Sequence, residues 1–170
     1  SPNNPTGFQF SKTQLESLIK KFDGLVIIDE AYGEFGDSST VSLTKKYDNL
    51  IVVKTFSKAF GLAGLRVGYF VANRKIVEIF NQVLQYPYPL NTLAIEAGIA
   101  SLDKVDQMKE ASEIIKSERK KIIENLRKYD AFTVFDSNAN FVLFDAKGAD
   151  KRVFSALVEQ GISIRKLGKI

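Results

Sequence analysis

A lysine, two hydroxyl residues, an arginine and two glycines lie close together in one stretch of this chain. Thr55, Ser57 and Lys58 stand at its start, Gly61 and Gly64 in its middle, and Arg66 at its end. Hydroxyls, a guanidinium and unhindered glycine backbone form a donor set suited to phosphate. A lysine in such a pocket is a candidate Schiff-base former, because burial and cationic neighbours lower the pKa of its amine. Upstream, Asp29-Glu30-Ala31-Tyr32 offers a carboxylate and a phenol. The chain contains no histidine and no cysteine. Those absences exclude a Ser-His-Asp triad, a thiol nucleophile, disulfides and thiolate metal sites, and they make zinc centres unexpected; no metal is expected. Proton transfer must fall to Lys, Tyr, Asp or Glu.

These residues sit at the ends of apolar runs. Leu25–Ile28 and Leu50–Val53 are continuous apolar stretches, the pattern of parallel strands covered on both faces. The first leads into Asp29 and Tyr32, the second into Thr55, Ser57 and Lys58, and Val67–Ala72 is a third run preceded by Arg66. In open α/β sheets ligands bind beyond the carboxyl ends of the strands, so one edge would collect these groups. Residues 1–7 read as a turn. Ser11 resembles an N-cap for a helix over 12–22, with Leu15, Leu18, Ile19 and Phe22 at helical spacing. The alternation argues for an α/β layered domain.

The second half differs in pattern. Segments 75–86 and 91–102 read as helices separated by Tyr86-Pro87-Tyr88-Pro89, and 104–129 as one long helix with a stripe of Met108, Ala111, Ile115, Ile122 and Leu126. Strands are expected at Phe132–Phe135, Asn140–Phe144 and Ile162–Arg165, with a helix over 150–160 closed by Gly161. This order suggests a small α+β unit. We expect a large-domain portion over 1–103, and over 104–170 a linking helix with an incomplete small C-terminal domain.

The 170 residues, 45% hydrophobic and 26% charged, are ordinary for a globular protein. No apolar run approaches the roughly 18–20 residues that span a membrane, and no signal-peptide pattern opens the chain, so a cytoplasmic protein is expected. A net charge of +4 suits anionic ligands, but the basic residues form no dense block, which disfavours nucleic acid. The abrupt start at Ser1 and the end at Ile170, after a strand-like run, are expected of the interior of a longer protein. Each candidate has an ordinary reading too: Asp29 as a turn cap, Lys58 and Arg66 as surface charges, Tyr32 as half-buried core. Residue chemistry alone gives an anion-binding α/β enzyme.

Three blocks together resemble the fold-type I pyridoxal-phosphate (PLP) aminotransferases: Asn4-Pro5-Thr6-Gly7, Asp29-Glu30-Ala31-Tyr32, and Thr55 through Tyr69. The resemblance implies a PLP-dependent transferase-like fold, with a three-layer sandwich large-domain portion followed by a small α+β domain, and a homodimer. It implies that Lys58 bonds the cofactor and moves the substrate's proton. It also implies that Asp29 pairs with the pyridine nitrogen, that Tyr32 and Asn4 hydrogen-bond the ring oxygen, and that Thr55, Ser57 and Arg66 cradle the phosphate. A carboxylate raises the pKa of the ring nitrogen it faces, which keeps the ring an electron sink.

Within fold type I, the wording of residues 55–66, Tyr86–Asn91, Ala139–Val142 and Gly161–Arg165 is most similar to the histidinol-phosphate aminotransferases. That similarity implies substrate binding by Arg165, whose alternative is an ordinary polar residue on an edge strand. Tyr88 either lies near the site or packs in a linker. The expected reaction passes an amino group from L-histidinol phosphate to 2-oxoglutarate. An aromatic or broad-specificity aminotransferase, a threonine-phosphate decarboxylase, and an inactive fragment serving as an interaction module are the alternatives. By the same resemblance, a glycine-containing phosphate loop and the ring-stacking aromatic would precede Ser1, and a second substrate arginine would follow Ile170.

Overall fold

The computed structural model describes residues 1–84 and 88–167. Tyr86 and Pro87, which fall between the two expected helices, lie outside the described residues. Ser11 opens helix α1 (Lys12–Lys21) with a reciprocal capping box: its hydroxyl accepts from the Gln14 amide, and the Gln14 side chain accepts from the Ser11 amide. Strands β1 (Val26–Asp29), β2 (Leu50–Thr55) and β3 (Gly68–Ala72) follow and form one sheet in that order. Val26 and Ile28 point toward α1 and pack with Ile19, Leu43, Leu50 and Val52; Leu50 and Val52 are fully buried. Burying each such side chain contributes about 1.5–3 kcal/mol, which makes β2 the anchor of the sheet.

Two features of the sheet depart from the expectation. First, β1 pairs with β2 in parallel, but β3 runs antiparallel to β2. The connection between β2 and β3 holds a short 3-10 turn (Ala63–Leu65) and no α-helix of the kind that usually carries a parallel crossover. Second, the apolar run of β1 is covered on one face only: Ile27 points away from α1 and is 64% exposed. The continuous run therefore has two environments within this chain.

Helix α2 (Arg74–Ile79), capped by Asn73, passes into a π-helical turn at Phe80–Leu84, and α3 (Thr92–Leu102) is capped by the Asn91 side chain. Helix α4 (Val105–Leu126) is the long helix expected, but its inward stripe is rotated. Ser112 and Ile123 are buried, while Ile122 is 49% exposed and Ala111 faces out. The rotation brings Arg119 inward, where one guanidinium nitrogen donates to the carbonyls of Phe35 (3.0 Å) and Ala139 (2.7 Å). Burial lowers the pKa of Arg119 and nearby Asp37 partly restores it.

Among the described residues β4 (Thr133–Val134) and β5 (Phe144–Asp145) form the second, antiparallel ladder. The expected strand from Asn140 is shorter because Ser137 closes a turn there, donating to the Phe141 carbonyl and accepting from the Ala139 amide. Helix α5 (Asp150–Glu159) ends near Gly161, whose φ is +75°. The expected last strand, Ile162–Arg165, makes no ladder among the described residues. Among the described residues no helix is long and apolar enough to cross a membrane.

Arg119 ties the turn after Tyr32 to the loop before Phe141. Arg119→Met should leave two carbonyls unpartnered and lower the unfolding free energy by about 1–3 kcal/mol, read as a shifted denaturant midpoint.

Candidate active site

The antiparallel course of β3 decides where Arg66 lies. The residue before a parallel strand would sit at the amino edge of the sheet. Because β3 runs backward, with Thr55 opposite Gly68, Arg66 emerges at the edge where β1 and β2 end. Asp29 and Thr55, at strand ends, and Tyr32, Ser57, Lys58 and Arg66, in the adjoining turns, thus lie at one edge.

The closest contacts centre on Tyr32. Lys58 Nζ lies 5.1 Å from the centroid of its ring, and the Asn4 side-chain amide donates to its hydroxyl at 3.0 Å. An ammonium over an exposed ring is stabilised by about 0.5–1 kcal/mol. Phe141 meets the same ring edge-on, with centroids 5.2 Å apart. Asp29 closes β1 with its side chain exposed, on the face opposite α1, and its Oδ1 accepts from the Ala31 amide at 2.8 Å. Thr55 Oγ1 donates to the Val67 carbonyl and accepts from the Ser57 amide at 3.0 Å, which starts the turn leading to Lys58. Gly61, at φ +71°, allows the chain to fold back within that turn.

Arg66 itself has φ 56° and ψ 44°, the left-handed region that a bulky side chain rarely adopts. Its guanidinium donates to the Ala63 carbonyl at 3.0 Å. Non-glycine residues held in this region cluster at functional sites, where surrounding structure over-determines them.

Asn4 is brought to the site by Gly7. At φ +72°, Gly7 packs so closely on Ser137 that an added Cβ would lie 2.2 Å from the serine hydroxyl. The Gly7 carbonyl accepts from the Asn138 amide at 2.7 Å, and the Asn138 side chain donates to Asp37 at 2.7 Å. Arg165 is not part of this cluster; it is exposed, although its neighbour Ile164 lines a groove with Asn140 and Phe141. Tyr88 is 93% exposed.

A second set of charges sits on the α1 face of the same strand ends. Glu30 is 1% exposed and accepts from Ser39 Oγ (2.6 Å), the Thr40 amide (2.6 Å) and Thr40 Oγ1 (2.7 Å). Lys54 reaches both Glu30 (3.4 Å) and Glu34 (2.8 Å). Burial pushes the Lys54 ammonium down, but the Glu34 hydrogen bond and the charges of Glu34 and Glu30 outweigh it, so its pKa lies above 10.5. Burial raises the pKa of the neighbouring Tyr69 phenol. Glu30 lies within the Asp29–Tyr32 block and Lys54 just before the Thr55 block, and the sequence gives neither an evident role. The available signal was strand alternation, which turns each inward while Asp29 and Thr55 face outward.

Among the described residues no group of three or more Asp or Glu is arranged to hold a metal ion. The family model of aminotransferase class I and II matches residues 1–169, and the chain belongs to this family. Its fold is the fold-type I architecture of PLP-dependent aminotransferases, here in mixed α/β form. It is 42% identical over 170 residues to the histidinol-phosphate aminotransferase of Thermoanaerobacter sp. (strain X514), covering 100% of this chain and 48% of that protein. A solved histidinol-phosphate aminotransferase from Sinorhizobium meliloti, in complex with pyridoxal-5'-phosphate, superposes with a TM-score of 0.85 at 26% identity over 99% of this chain and 48% of that one. L-threonine-O-3-phosphate decarboxylase from Porphyromonas gingivalis gives 0.84 at 28% identity, over 97% and 52%. The chain thus spans about half the length of the relatives it matches.

The donor set fits PLP: an amine, a carboxylate, a phenol steadied by an amide, hydroxyls and a guanidinium at one sheet edge. Arg66→Gly should relieve about 1 kcal/mol of backbone strain and hold or raise the melting temperature, while PLP affinity falls. Calorimetry beside a PLP titration measures the two opposite effects; a purely structural arginine would lower stability and leave affinity alone.

Proposed function

We propose that this chain carries the cofactor-binding portion, 1–103, and part of the small domain, 104–170, of a cytoplasmic, homodimeric aminotransferase. Its reaction is L-histidinol phosphate + 2-oxoglutarate to imidazole acetol phosphate + L-glutamate, a step of histidine biosynthesis. The Lys58–Tyr32–Asn4 contact carries the reading, because it sets a lysine amine beside a fixed phenol at the edge that also holds Asp29 and Arg66. The 42% identity to a histidinol-phosphate aminotransferase supports the substrate.

Lys58 would hold the cofactor covalently through Nζ and, once released, carry a proton from the substrate α-carbon. Asp29 would hold the proton on the ring nitrogen. Tyr32 and Asn4 would donate to the ring oxygen and fix the ring's plane. Thr55, Ser57 and Arg66 would hold the phosphate. Bound PLP supplies the electron sink that accepts the pair left when the α-proton departs. Arg165 would meet the substrate's anionic group. Loss of carboxylate in place of amino transfer, as the name of the Porphyromonas gingivalis neighbour describes, is the second reading.

Adding PLP to the purified natural polypeptide should give an absorbance band near the visible edge, absent in Lys58→Ala. A parent protein without the band would remove the cofactor reading. Under steady-state conditions, kcat/KM for histidinol phosphate should exceed that for phenylalanine by at least about tenfold, or 1.4 kcal/mol of transition-state discrimination. Equal values would assign the chain to the aromatic aminotransferases instead.

A further inference from the structure

Tyr32 occupies the centre of the site, yet it lies on a turn rather than a strand. Something must hold that turn against β2. The segment Glu30-Ala31-Tyr32-Gly33-Glu34 begins and ends with a carboxylate, and both carboxylates meet one cation. Lys54 Nζ is 3.4 Å from Glu30 Oε2 and 2.8 Å from Glu34 Oε1, and the three side chains are 11%, 1% and 14% exposed in the order Lys54, Glu30, Glu34. Lys54 stands on β2 next to Thr55, which starts the turn bearing Lys58. One ammonium therefore joins the segment that carries Tyr32 to the segment that carries Lys58.

The two carboxylates are not equally dependent on it. Glu30 has three other donors, from Ser39 and Thr40. Glu34 Oε2 is buried with no hydrogen-bond partner, and among the described residues Lys54 is the ion-pair partner of Glu34. Gly33, between them, packs so near that an added Cβ would lie 3.3 Å from Lys54 Nζ. The space admits a slim ammonium and leaves little room for a planar fork.

We propose that Lys54 is a positioning residue: its paired contacts with Glu30 and Glu34 hold the Tyr32 turn at the distance from Lys58 that the cofactor requires. The proposal rests on the PLP reading above. Removing Lys54 leaves two carboxylates buried without their cation, and the turn must move to hydrate them. Tyr32 moves with it, and a displacement near an ångström is enough to cost roughly tenfold or more in a preorganised site.

The test uses the natural polypeptide, Lys54→Met, Lys54→Arg and Glu34→Gln, each titrated with PLP by absorbance and then with pH at saturating PLP. Lys54→Met should bind PLP roughly tenfold more weakly. The pH midpoint of its visible band should move upward, since the phenol that would donate to the anionic ring oxygen is displaced. Glu34→Gln should shift both quantities in the same direction by less, and Lys54→Arg should recover part of each. If Lys54→Met fails to fold, Glu34→Gln, which keeps the side-chain shape, decides by the same two readouts. Variants that melt earlier yet keep the parent's affinity and midpoint would overturn the proposal and leave Lys54 a structural residue. A parent without a visible band would overturn the PLP reading beneath it, and is told apart because parent and variants fail alike.

Discussion

The double pairing of β2 is the constraint on which the site depends. Its two neighbours run in opposite directions, parallel on one side and antiparallel on the other. As a result, the ends of β1 and β2 and the beginning of β3 meet at one edge. The turn after β1 delivers a carboxylate and a phenol, and the connection from β2 to β3 delivers an amine and a guanidinium, to the same edge. Leu50 and Val52, with no exposed surface, fix the strand that both refer to. Groups held at the ends of packed strands are located more narrowly than groups on free loops.

The pleat of the sheet then divides the labour of adjacent residues. Asp29 and Thr55 point away from α1, toward the side where a ligand can approach, and Glu30 and Lys54 point toward the α1 core. Neighbouring positions in the chain thus hold a candidate site group and its support, one through each face. The same principle explains Ile27, which shares its face with Asp29 and remains open in this chain.

Much of this arrangement is legible in the residues. Ser11 and Gln14 mark the start of α1, continuous apolar runs mark β1 and β2, and the Lys58 block is specific enough to carry a family resemblance. Other parts follow from pairings that no local pattern encodes. A strand's apolar run does not record its direction, so the run of β3 looks like those of its neighbours although it pairs antiparallel with β2. The stripe of α4 was read from hydrophobicity, yet the helix turns Arg119 inward because two carbonyls of distant loops need a donor there. Ile162–Arg165 has the composition of a strand, but composition cannot supply a ladder partner.

The buried charges were the least legible, and energetics explains both why and what they imply. A buried ion pair recovers its desolvation cost only with good geometry, and apolar residues of similar volume often serve stability as well or better. Stability alone therefore gives little reason to place Glu30, Glu34 and Lys54 beside the apolar core of the α1 face. Their use lies in direction: an ammonium between two carboxylates fixes angles and distances that apolar packing, which is non-directional, leaves loose. One carboxylate follows Asp29, the other lies just beyond Tyr32, and the cation precedes Thr55. A layer of directed contacts at that spot determines how the opposite face is presented, so the charged core belongs with the chemistry at the edge rather than with the stability of the sheet.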